Sequence, residues 1–105
     1  MPDPAEALAH ATAKRIVAAF DGVIRIEAEG SAPLWIDGRS APPRIGRDPP
    51  NDLAADERGL AVWRGSVDAL IRALDDERAL AAAYAAGRLA IAGDMSVMAR
   101  LEYAR

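Results

Sequence analysis

Residues 65 to 101 read GSVDALIRALDDERALAAAYAAGRLAIAGDMSVMARL, and the shifts of hydrophobic period inside them decide the fold. Val67, Leu70, Ile71 and Leu74 fall at i, i+3, i+4 and i+7, one apolar face of a helix that Ser66 is placed to cap. Asp75-Asp76-Glu77 puts negative charge where the helix dipole is already negative, so a break is expected there. Ala79 to Ala86 reads as a second helix, stopped by Gly87 at a C′ position. Leu89 and Ile91 then alternate as a strand, and Gly93-Asp94 opens a last helix bearing Val97, Met98 and Leu101.

Upstream, Asp3-Pro4-Ala5-Glu6 has the form of a helix start, with Asp3 as N-cap, Pro4 at N1 and Glu6 placed for a capping box. Leu8, Ala11, Ile16, Ala19 and Phe20 form its apolar stripe, which Asp21-Gly22 ends. Ile24, Ile26 and Ala28 alternate with Arg25, Glu27 and Glu29, the period of a half-buried strand. A turn at Gly30-Ser31 leads to a second strand, Leu34-Trp35-Ile36, closed by Asp37-Gly38. Pro42-Pro43 and Pro49-Pro50 forbid a central strand between residues 39 and 58, leaving a loop with room for one short edge strand. Leu60 to Arg64 recovers strand character, with Leu60 and Val62 on one face and Trp63 on the other. Clustered strands followed by clustered helices predict an α+β domain, with helices covering one face of a mainly antiparallel sheet.

The whole chain, 105 residues of which 51% are hydrophobic, suits one domain around a single core. A net charge of -3 disfavours a basic nucleic-acid binder. Two acids in the first six residues, with no apolar run behind them, do not make a secretory signal. The longest apolar run, Ala79 to Ala86, is far short of the roughly 20 residues of a membrane span. A soluble, cytoplasmic protein is expected.

The residues offer little for catalysis. There is no cysteine, and His10 is the lone histidine, so neither a zinc site nor any other metal centre is expected. A serine triad would have to use His10, on an exposed part of the first helix, and Gly65-Ser66-Val67-Asp68 lacks the second glycine of a nucleophile elbow. No P-loop or Gly-x-Gly-x-x-Gly pattern is present, and no cofactor is expected. Two features suggest binding. Trp35 and Trp63 alternate away from the aliphatic positions of their strands; unless loops or the first helix bury them, they mark a partner surface, a homodimer contact or a ligand mouth. Arg39, Arg44 and Arg47, with no acid between them, are candidates to dock an anionic headgroup. Met95 and Met98 suit either the core or an adaptable apolar wall.

Taken together, residues 65 to 101 resemble the C-terminal half of the sterol carrier protein 2 (SCP2) family. Tyr84 matches the aromatic that ends a helix, Gly87-Arg88-Leu89 the strand entry, Gly93-Asp94-Met95 the turn and Ala99-Arg100-Leu101 the final helix. The first half agrees in outline through Phe20, Gly22 and Asp37-Gly38, so the likeness runs over about residues 16 to 105. The ending Glu102-Tyr103-Ala104-Arg105 is not a Ser-Lys-Leu-type address, which points to a bacterial cytoplasm rather than a peroxisome.

The resemblance implies about five strands, helices enclosing an apolar tunnel, and non-catalytic carriage of a fatty acid, acyl-CoA, sterol or isoprenoid-like lipid. The implied lining is Phe20, Ile24, Ile26, Leu34, Ile36, Val62, Leu70, Leu74, Tyr84, Met95, Met98 and Leu101. A void of about 300 Å³, costed at about 24 cal/mol per Å³, would take about 7 kcal/mol from a domain worth only about 5–15. The tunnel is therefore either occupied or closed. If it is closed, the chain is an interaction or dimerisation module instead. An enzymatic role survives only as a subunit attached to a larger catalyst.

Overall fold

A computed structural model describes residues 3–53 and 58–104. The chain runs α1 (Pro4–Arg15), β1 (Val23–Ala28), β2 (Leu34–Asp37), β3 (Arg44–Gly46), β4 (Leu60–Gly65), α2 (Val67–Ala73), α3 (Glu77–Ala85), β5 (Leu89–Gly93) and α4 (Met95–Arg100). The strands form one sheet in the order β3-β2-β1-β4-β5. Its pairings are antiparallel except β1 with β4, which are parallel.

Each helix begins where a side chain satisfies its free backbone donors. Asp3 accepts from the Ala5 N–H, Ser66 from Ala69, Asp76 from Ala79 and Asp94 from Ser96. α3 starts at Glu77, two residues before the alanine run, because Asp76 rather than its neighbours supplies the cap. It ends in a Schellman motif: the Gly87 N–H donates to Tyr84 O, the Arg88 N–H to Ala83 O, and Gly87 takes φ +73°.

α1 stops at Arg15, well before Phe20. The N–H groups of Phe20 and Asp21 both donate to Gly38 O, which holds this stretch as irregular chain tied to the end of β2. The Phe20 ring occupies the place where a Cβ on residue 38 would go.

The four helices among the described residues lie on one face of the sheet and share one core with it. Leu8 from α1, Leu70 and Ala73 from α2 and Val97 from α4 meet Ile24, Ile26, Leu34, Ile36, Ala61 and Trp63; Leu80 and Ala83 of α3 pack at its margin. The opposite face carries a smaller cluster of Val23, Trp35 and Leu60, with Leu53 and Val62 against it and no helical residue.

This arrangement settles the alternatives for Trp63 in favour of burial, and corrects the expectation that Val62 rather than Trp63 faces the helix-covered side. Parallel pairing with β1 sets Trp63 beside Ile26, and β5 sets Ile91 on its other side, so it shares the helix-covered face. It is 0% exposed, and its Nε1–H points at Met98 Sδ, 3.1 Å away. Trp35, 9% exposed, lies on the open face with the Arg25 guanidinium 5.4 Å from its ring centre. There Arg25 Nε also meets Glu27 Oε1 at 3.0 Å, an ion pair without hydrogen-bond alignment.

Candidate functional site

A cleft of about 610 Å³ runs between α2 and α3. Its apolar wall is made of methyl groups: Ala69 on α2, then Ala79, Ala82, Ala83 and Ala86 along α3. The cause is local. α2 turns Leu70 and Leu74 into the core and leaves Ala69 beside its polar face, while α3 has no fully buried residue and rests on α2 and β5 through Leu80 and Ala83. Small side chains on both helices leave a channel where longer ones would interdigitate.

The rim is polar. Ser66 caps α2, Asp68 lies in its first turn and Arg72 in its last, Glu29 comes from just beyond β1, and Gly87-Arg88 from the turn into β5. Arg72 Nε lies 3.4 Å from Asp68 Oδ2 in an exposed i,i+4 pair. The three chain segments meet at Gly65: the Glu29 N–H donates to its carbonyl at 2.9 Å, and a Cβ there would come within 2.9 Å of the Arg88 carbonyl.

The structure divides the twelve residues of the expected lining. Phe20, Ile24, Ile26, Leu34, Ile36, Leu70 and Leu74 are brought together in the core beneath the helices, and Met98 and Leu101 pack against it. Val62 lies on the opposite face, and Tyr84 and Met95 stand 47% and 50% exposed. None of the twelve borders the α2–α3 cleft. Leu74 borders a separate one of about 340 Å³ between α1 and α2, beside the exposed His10. At the centre of the layer, Trp63 fills space with an indole.

The three candidate headgroup arginines are dispersed, and two have found acids beyond the stretch between them. Arg39 Nη2 meets Asp37 Oδ2 at 2.8 Å and also donates to Asn51 O, tying down the proline-rich loop. That hydrogen bond, with the Arg39 backbone N–H at Oδ1, holds the Asp37 carboxyl below its ordinary range. Arg47 Nη2 reaches Asp3 Oδ2 at 2.6 Å. Arg39 and Arg44 share a polar cleft of about 300 Å³ with Trp35, Asp48 and Asp52, which Arg47 does not border. Among the described residues no three His, Asp or Glu side chains converge to hold a metal ion, and no helix is long and apolar enough to cross a membrane.

The residues of the cleft escaped sequence reasoning except in one respect. The alanine run of α3 signals either room or close helix approach, and here it makes room. Ala69, Glu29 and Arg88 have no local signal, because only the tertiary fold brings them to that run.

A five-stranded mixed sheet with all its helices on one face, preceded by a helix and closed by a strand and a last short helix, is the architecture of an SCP2-like domain. Among solved structures, one titled "UbiJ-SCP2 Ubiquinone synthesis protein" superposes with a TM-score of 0.59, covering 90% of this chain and 73% of that one at 22% identity. Comparison of the sequence with family models and with curated proteins finds no match.

Proposed function

We propose that this chain is a non-catalytic binder of an amphiphile, and that the apolar chain of the ligand lies in the α2–α3 cleft. The observation that carries this reading is the cleft itself: an alanine wall with a charged rim, about 610 Å³ in volume, which falls within the roughly 300–1,000 Å³ of usual ligand sites. The SCP2-like fold supports it, since the resemblance noted above is to a family of lipid binders, and the solved neighbour is titled for ubiquinone synthesis. A fatty acid, an acyl-CoA, a sterol and an isoprenoid-like lipid all present the required apolar chain or plate.

Native mass spectrometry of the freshly purified chain tests this directly by reporting any retained small molecule. A bound ligand also stabilises by mass action, about 2.7 kcal/mol at a hundredfold excess over Kd, which raises the melting temperature by roughly 10 °C or more in a domain this size. Ala82→Leu, at an exposed position in the wall, narrows the channel without disturbing the core and should weaken binding. If no fatty acid, lysophospholipid or prenol shifts the melting of the wild-type chain, and no lipid is extracted from it, the reading is wrong.

One observation favours a second reading, a docking module. The sheet face away from the helices is only partly covered, with Ala90 and Ala92 exposed and Val62 half-buried beside Trp35 and Arg25. A homodimer formed there would use Trp35 and not Trp63. Sedimentation over a range of concentrations tests it: a concentration-independent monomer excludes self-pairing.

A further inference from the structure

The mouth of the α2–α3 cleft carries two opposite charges that nothing in the described chain satisfies. Glu29 follows β1 and Arg88 precedes β5, so they approach the end of β4 at Gly65 from opposite sides. Strands spaced about 4.8 Å apart set the two backbones roughly 10 Å from each other. Both side chains are exposed, and among the described residues neither makes a side-chain hydrogen bond or an ion pair. The other two rim charges, Asp68 and Arg72, already pair with each other.

The rim is therefore neutral in sum but polarised across the opening, and that pattern selects among headgroups. A carboxylate attracted to Arg88 is repelled by Glu29, so a fatty acid gains little. An uncharged alcohol leaves both ions unpaired as the apolar chain displaces water around them. A headgroup with one charge of each sign pairs both. We propose that the cleft takes an amphiphile with a zwitterionic headgroup, its anionic group at Arg88 and its cationic group at Glu29. This rests on the cleft being the ligand site.

Two exposed ion pairs together correspond to a preference of roughly 2- to 30-fold. The test is calorimetric titration of the full chain at low salt with three probes of matched chain length, below their micelle concentrations: myristoyl lysophosphatidylcholine, myristate and tetradecanol. The expected result is tightest binding of lysophosphatidylcholine, with the preference shrinking as salt is added. Arg88→Gln and Glu29→Gln should each reduce that preference, and Glu29→Gln should strengthen myristate binding. Myristate binding as tightly as lysophosphatidylcholine, or a preference that survives both substitutions, overturns the zwitterion assignment while leaving the cleft as a site. Binding by none of the three overturns the cleft reading and this inference with it.

Discussion

Trp63→Ala is the substitution that most directly tests how this fold is filled. The indole lies between Ile26 and Ile91 on the helix-covered face, is 0% exposed, and points Nε1–H at Met98 Sδ. Removing a fully buried tryptophan costs about 3–5 kcal/mol. A domain of this length has a total stability of about 5–15 kcal/mol, so the loss is a large part of the whole. Trp35→Ala is the comparison. Trp35 belongs to the small cluster on the open face, against Val23 and Leu60 and with Arg25 over its ring; there the neighbours can close in and little cavity remains, so its removal is expected to cost about 2–3 kcal/mol, chiefly the transfer of its ring to water. Urea unfolding in the cold measures both, each variant keeping one tryptophan as its fluorescence reporter. Trp63→Ala also leaves a dry apolar hole, the kind of cavity that accepts benzene. Added benzene or indole should therefore raise the urea midpoint of Trp63→Ala and leave the wild type unchanged. Equal losses for the two variants, or a larger loss for Trp35→Ala, would refute the assignment of Trp63 to the core. Trp63→Phe set against Trp35→Phe guards against an unfolded alanine variant and should show the same order with smaller losses.

Gly38→Ala places a methyl where the Phe20 ring lies and should cost about 1–3 kcal/mol by overpacking, read as a lowered melting temperature; no change would remove the Phe20–Gly38 contact from the account of why α1 ends early. Tyr103→Phe deletes the half-buried hydroxyl that donates to Ala73 O at 2.7 Å, at a cost of about 1 kcal/mol in urea unfolding. Burial, with Glu77 and Asp76 adding to it, raises the ionisation of that phenol, so absorbance titration should find it still protonated above its ordinary pKa of 10.0. Asp37, held down by the Arg39 hydrogen bond, and Asp94, held down by Ser96 and the Gly59 N–H, have folded pKa values below the ordinary 3.8. The unfolded chain takes up those protons first, so the stabilisation is complete above about pH 5 and is lost as pH falls through 3.8 and below the folded values. Asp94→Asn should flatten part of the acid limb of a urea-midpoint profile; an unchanged limb would deny Asp94 that role.

What the sequence reveals and what it hides divide along the range of the forces involved. Ser66, Gly87 and Asp94 announce helix ends because a cap acts within a few residues of itself, and the alternation of Ile24 with Ile26 fixes which face of β1 is buried. The end of α1 is hidden because Gly38, eighteen positions beyond Phe20, supplies the carbonyl that takes Phe20 and Asp21 out of the helix. The side taken by Trp63 is hidden for a similar reason. Its strand holds aliphatic residues at Leu60 and Val62, and only the register with β1, which pairs it to Ile26, shows that these face the open side. The acids that engage Arg39 and Arg47 lie just outside and far outside the window that makes the arginines look unpaired. The cleft was half legible: composition shows the alanines, while the rim of Glu29, Ser66 and Arg88 exists only where three chain segments meet.

The location of the free space also determines how a ligand relates to stability. A closed tunnel of about 300 Å³ inside the layer would cost about 7 kcal/mol when empty, so a protein built that way depends on its guest. Here the centre of the layer holds Trp63, and the volume lies outside it, between α2 and α3, where water can occupy it. On the proposed cleft reading, binding is reversible addition to a chain that is already folded. The delipidated protein should unfold cooperatively, with the urea dependence expected for its full buried surface, and added ligand should shift the midpoint without changing the slope. A delipidated chain with a strongly reduced slope would show that the guest belongs inside the layer, which would leave the open cleft without a role in holding it.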